Sequence, residues 1–66
     1  MEWLKKLRAD KGYSQKETAK LCFLSQPSYA NIENDKRHPS VSTAKRIADV
    51  LNFDWTRFYE TEKTSA

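Results

Sequence analysis

Only one cysteine, Cys22, and one histidine, His38, occur in the 66 residues. A lone cysteine excludes an intramolecular disulfide and fits a reducing cytoplasm. Together, Cys22 and His38 supply at most two metal ligands, short of the four that a structural zinc site needs. No metal or other cofactor is therefore expected. No apolar run approaches the ~18–20 residues that span a bilayer. The opening Met1–Glu2–Trp3 leads straight into a charged, periodic segment, unlike a signal peptide. Glycine is confined to Gly12, and proline to Pro27 and Pro39. No segment alternates apolar and polar residues long enough to read as a strand. A nucleophile–His–acid set and a Gly-rich phosphate loop are both missing, so an enzyme is not expected.

A chain this short forms one domain at most and buries a modest core, so helix packing must supply most of its stability. Twelve Lys and Arg against nine Asp and Glu leave a net charge of +3. That balance is compatible with nucleic acid but does not establish it.

The hydrophobic spacing predicts five short helices. The first runs from Glu2 to Lys11, with Trp3, Leu4 and Leu7 as one apolar stripe, and Gly12 closes it. Ser14 with Glu17 three residues later forms a capping box for a second helix, Gln15 to Cys22. That helix buries Ala19 and Cys22, with Thr18 at the edge. After a tight break at Phe23–Leu24, Ser25 caps a third helix that holds Pro27 in its first turn and ends near Asn34. Tyr29 and Ile32 face inward from it. Ser40 caps a fourth helix, Val41 to Leu51, whose inward face is Val41, Ala44, Ile47, Ala48 and Leu51. Asp54 caps a last helix carrying Trp55, Phe58 and Tyr59. Residues 1–60 read as one domain and 61–66 as a polar tail, and the start at Met1 and the polar end suggest a complete chain.

Two short helices joined by a brief turn, the second capped by Ser, describe a helix-turn-helix. The second helix of such a pair lies in the major groove and offers its N-terminal side chains to base edges. Ser25, Gln26, Ser28 and Asn31 are polar and uncharged, and Gln and Asn suit bidentate pairing with adenine. A merely solvated helix face more often carries Glu and Lys. Gln15 and Lys16 at the start of the second helix, and Lys36, Arg37 and His38 after the third, bracket that face. They are candidates for contact with the DNA backbone, which sets register while bases specify. In most proteins Lys36 and Arg37 would be a solvated loop, and Lys45 and Arg46 read as surface charges on the fourth helix.

The string Leu7-Arg8, Tyr13-Ser14-Gln15, Glu17-Thr18-Ala19, Leu24-Ser25, Ile32-Glu33-Asn34, Arg37, Pro39-Ser40 resembles the phage-repressor/Cro helix-turn-helix family. The resemblance covers Trp3 to Tyr59. It implies a five-helix transcriptional regulator, commonly a homodimer on a palindromic operator. By that likeness Gln26 is the principal base reader, and Pro27 and Asn31 occupy groove-facing positions, with Ser28 beside them. The Pro27 ring can touch a thymine methyl. Gln15 matches a residue that anchors the DNA backbone; apart from that likeness, Lys16, Ser25, Asn34, Lys36 and Arg37 are further candidates for backbone contact. Arg8 and Glu33 match an ion pair between the first and third helices. Phe23 and Asp35 stand where the family usually has glycine. A bulky residue at positive φ is strained, so the turn is expected either to differ or to be covered by the Phe23 ring.

The expected function is a sequence-specific regulator, a repressor acting as a homodimer on double-stranded DNA in the cytoplasm. The same fold also serves as an antitoxin or protein-interaction module, and that reading stays open. Two readings remain for Trp55, Phe58 and Tyr59: closure of the core, or a dimer surface shared with Trp3.

Overall fold

The computed structural model describes residues 1–60. Residues 61–66, read above as a polar tail, lie outside the described residues. The elements are α1 (Glu2–Asp10), α2 (Gln15–Leu21), α3 (Gln26–Glu33), α4 (Val41–Leu51) and a 3-10 helix (Trp55–Tyr59). No strand occurs among the described residues, so the class is all-α. The count of five α-helices needs correction, because the last element is a single 3-10 stretch. Asp54 accepts from the Thr56 N–H at 3.0 Å, and the Arg57 N–H donates to the Asp54 carbonyl at 3.0 Å. Five residues are too few to establish an α-helical ladder, and i→i+3 bonds serve instead.

Short polar side chains start the helices. Ser14 Oγ accepts from the Glu17 N–H at 3.0 Å, while the Glu17 carboxylate accepts from the Ser14 N–H at 2.8 Å, completing the capping box. Ser25 and Ser40 cap α3 and α4 through the N–H groups of Ser28 and Thr43. Each such cap is worth about 1 kcal/mol.

The helices end alike. Gly12, Phe23, Asp35 and Asn52 all take left-handed backbone, with φ of 77°, 61°, 63° and 61°. After α2, the Phe23 N–H donates to Lys20 O and the Leu24 N–H reaches back to Ala19 O. The same pair of backward bonds closes α1 through Gly12 and Tyr13, and α3 through Asp35 and Lys36. This motif satisfies carbonyls that a helix end otherwise leaves orphaned, and glycine fits it best. Only the first of the four positions is a glycine.

Leu4, Ala19, Cys22, Tyr29, Ile32, Ala44, Ile47, Leu51 and Phe58 form one buried cluster drawn from every element. Three sequence expectations change here. Leu7 is only half-buried. Val41 is 49 % exposed, because it is the first residue of α4 and precedes the packed face that starts at Ala44. Thr18 is not at an edge but fully buried, and it can be so because its hydroxyl donates to Ser14 O at 3.0 Å. The aromatic group divides. Phe58 is core, whereas Trp3 packs edge-on to Phe53 at 5.2 Å and beneath the Arg57 guanidinium. Half-buried Trp55 meets exposed Tyr59 edge to face at 5.9 Å, and the Tyr59 hydroxyl donates to Pro39 O at 2.9 Å.

Candidate nucleic-acid interface

α2 and α3 are joined by Cys22 to Ser25, and the backward bonds of Phe23 and Leu24 make that turn rigid. α3 buries Tyr29, Ile32 and Glu33 on one side. On the other side Pro27, Asn31 and Asn34 are exposed at helical spacing, with Gln26 exposed at the start. Glu33 is the one charged residue of α3, and it is buried. The exposed face therefore carries no formal charge, which suits contact with base edges.

Ser25 and Ser28 are partly committed to each other. The Ser25 hydroxyl donates to Ser28 Oγ at 2.8 Å and accepts from the Ser28 N–H at 3.3 Å. Ser28 thus keeps its own hydroxyl proton to donate. It shares a shallow depression with Arg37, His38, Ser40 and Thr43, between α3 and the start of α4. Arg46 reaches Thr43 Oγ1 at 3.4 Å, at the edge of that depression. Sequence reasoning named Arg37 there but missed the Ser40–Thr43 wall, whose only signal was its capping pattern. Lys16, Lys36 and Arg37 are exposed on the flanks, and Asn34 is the C-cap of α3.

The platform beneath this face is a buried ionic cluster. Glu33 is fully buried. Arg8 from α1 donates to it through Nε at 2.8 Å and Nη2 at 3.2 Å. Tyr29 donates its hydroxyl at 2.8 Å, and Gln15 donates Nε2 at 2.8 Å. Arg8 Nη1 also reaches Tyr13 O at 2.8 Å, tying in the α1–α2 connection. Burial pushes the Glu33 carboxyl up, but the hydrogen bonds from Arg8, Gln15 and Tyr29 and the Arg8 charge outweigh it and hold its pKa below the ordinary value. The hydrogen bond with Glu33 raises Arg8, against a smaller opposing effect of burial. Burial, reinforced by Glu33, raises the Tyr29 phenol well above its usual range. The Tyr29–Glu33 contact has a sequence signal in its i, i+4 spacing, whereas the Gln15 contact has none.

The sequence profile of the helix-turn-helix family matches residues 4–58. An uncharacterized HTH-type transcriptional regulator, YqaF of Bacillus subtilis (strain 168), is 48 % identical over 59 residues, covering 89 % of this chain and 78 % of that one. No solved structure matches. The chain belongs to the Cro/C1-type helix-turn-helix family.

Two positions where this Cro/C1-type protein departs from the family's glycines now have an answer. The turn does not differ at Phe23: it keeps the left-handed geometry, and the ring is 82 % exposed rather than packed over the turn. At Asp35, the left-handed geometry is also kept, and the carboxylate accepts from the Met1 ammonium at 2.7 Å. That ion pair offsets the negative charge beside the candidate interface. Met1 also donates to Glu33 O, at the end of α3. Among the described residues no group of His, Cys, Asp and Glu is placed to hold a metal ion, and no helix is long and apolar enough to cross a membrane.

Proposed function

We propose that this protein is a sequence-specific DNA-binding transcriptional regulator of the cytoplasm, acting as a repressor and binding as a homodimer. The observation that carries the reading is the exposed, uncharged polar face of α3, set by a rigid turn and flanked by cations. In this reading Gln26 and Asn31 read base edges, Pro27 touches a thymine methyl and Ser28 donates to a base. Gln15, Lys16, Ser25, Asn34, Lys36 and Arg37 hold the phosphates on either side. The Arg8–Glu33 pair orients α3 and stays off the DNA.

Two copies would place their recognition helices about 34 Å apart, one turn of DNA, on a near-palindromic site. Val41 and Tyr59 offer exposed apolar surface for pairing, while half-buried Trp3 lies beneath the Arg57 guanidinium. Repression is then steric occupancy of a promoter, with no chemical step. Affinity falls steeply with salt, as each contacted phosphate releases counterions.

Selection of bound duplexes from a random library at about 150 mM salt tests this. The reading predicts a palindromic consensus with half-sites one turn apart. No enrichment would overturn it in favour of the protein-interaction role, as in an antitoxin.

A further inference from the structure

The carboxylate of Glu33 accepts four hydrogen bonds. Oε2 takes Arg8 Nε and the Tyr29 hydroxyl, and Oε1 takes Arg8 Nη2 and Gln15 Nε2. A carboxylate held ionised can only accept. The Gln15 amide must therefore turn its NH2 group, not its carbonyl, toward Glu33. That NH2 carries two protons. Glu33 takes one. The other is the single donor the Gln15 side chain can give a phosphate, because the amide carbonyl and the phosphate oxygens are all acceptors.

Position makes the contact consequential. Gln15 is the first residue of α2, and Glu33 is the last of α3. Their hydrogen bond joins the far ends of the two helices whose near ends meet at the Cys22–Ser25 turn. A free Gln side chain must lose rotamer freedom when it takes up a phosphate. Here Glu33 has already fixed it in the protein alone.

We infer that Glu33 is a positioning residue for DNA binding: through Gln15 Nε2 it holds the remaining amide proton ready for a backbone phosphate. The inference rests on the reading of Gln15 as a phosphate contact. Arg8 and Tyr29 serve it at one remove, by keeping the carboxylate ionised and in place.

A double-mutant cycle on a selected duplex, read by fluorescence anisotropy, tests this. Gln15→Ala alone weakens binding about tenfold, the scale of one charge-assisted hydrogen bond. In a Glu33→Met background, which leaves no acceptor at that position, the same change costs less than about twofold, because the amide is no longer held. In a Tyr29→Phe background, which leaves the Gln15–Glu33 bond intact, Gln15→Ala again costs about tenfold. Equal losses in all three backgrounds overturn the inference. If Glu33→Met does not fold, the side-chain amide signals of Gln15 in the unaltered protein decide. One Nε2 proton should exchange slowly in free protein, and the other should shift on adding the duplex. Two freely exchanging protons, or no shift, overturn it. Selective binding with an additive cycle sinks this inference alone, whereas no selective binding sinks the functional reading as well.

Discussion

Arg8 grips Glu33 through two parallel hydrogen bonds, Nε to Oε2 at 2.8 Å and Nη2 to Oε1 at 3.2 Å, across 25 residues of chain. Glu33 is wholly buried, so the pair fastens α1 to the end of α3 where water cannot replace Arg8 at the carboxylate. Removing one partner of a buried pair leaves an uncompensated charge, at a cost of about 3–5 kcal/mol. A single small core rarely supplies more than about 3–5 kcal/mol in total. Arg8→Met should therefore be largely unfolded at 25 °C by circular dichroism. Arg8→Lys keeps the charge but loses the fork and the bond to Tyr13 O, and should fold with reduced stability. An Arg8→Met protein as stable as the parent would show that the pair does not hold the fold.

The same cluster sets the acid limit. The Glu33 pKa is lower folded than unfolded, so the unfolded chain binds its proton more readily. Its stabilising contribution is present above the ordinary carboxylate range of about 4.3. It is lost as pH falls through the depressed folded value. Urea midpoints measured from pH 6 downward should fall in that acid window, and in Tyr29→Phe, which removes one of the hydrogen bonds that lower Glu33 while keeping the Arg8 pair, the slope should be shallower. Parallel profiles for the two proteins would assign the acid sensitivity to other carboxylates.

At the alkaline end Cys22 acts with the opposite sign. Burial pushes its thiol from 9.0 up to about 11, against a smaller lowering by Arg46. A raised folded pKa means that stability is complete below the unfolded value and is lost as pH rises toward the folded one. Stability should decline from about pH 9 upward, and Cys22→Ala should remove part of that decline while lowering stability at neutral pH through the small cavity it leaves. Thermal melts at pH 7, 9 and 10.5 would check both statements.

Phe23 offers a gain. It sits at a φ of 61° with its ring 82 % exposed, so the left-handed strain is not repaid by burial. Glycine relieves about 1–2 kcal/mol of that strain and gives back about 0.4–1 kcal/mol as extra freedom of the unfolded chain. Phe23→Gly should raise the melting temperature by a few degrees and leave DNA affinity unchanged. A lower melting temperature would mean that the ring makes contacts the folded protein needs.

Much of this was legible in the residues, for local reasons. Ser14, Ser25, Ser40 and Asp54 mark helix starts because a side-chain oxygen must satisfy nearby N–H groups, and the structure uses all four. The apolar spacing of Ala44, Ile47, Ala48 and Leu51 likewise described a face that is buried. What escaped depends on tertiary neighbours. Val41 continues that spacing, yet it precedes the contact surface. Thr18 is buried because a backbone carbonyl happens to receive its hydroxyl. The placement of Gln15 beside Glu33 joins positions 18 residues apart and follows only from how α2 and α3 pack. Trp55 to Tyr59 have helical spacing, but the stretch is too short to become α.

The base-reading role of Gln26 is the central claim, and it has a direct test. Anisotropy titrations would compare the unaltered protein and Gln26→Ala on the selected duplex and on its single base-pair variants. The account predicts a loss of about 1–3 kcal/mol on the selected duplex, with preference relaxed at one base pair of each half-site and kept elsewhere. A Gln26→Ala protein with undiminished affinity and unchanged preference at every base pair would contradict it.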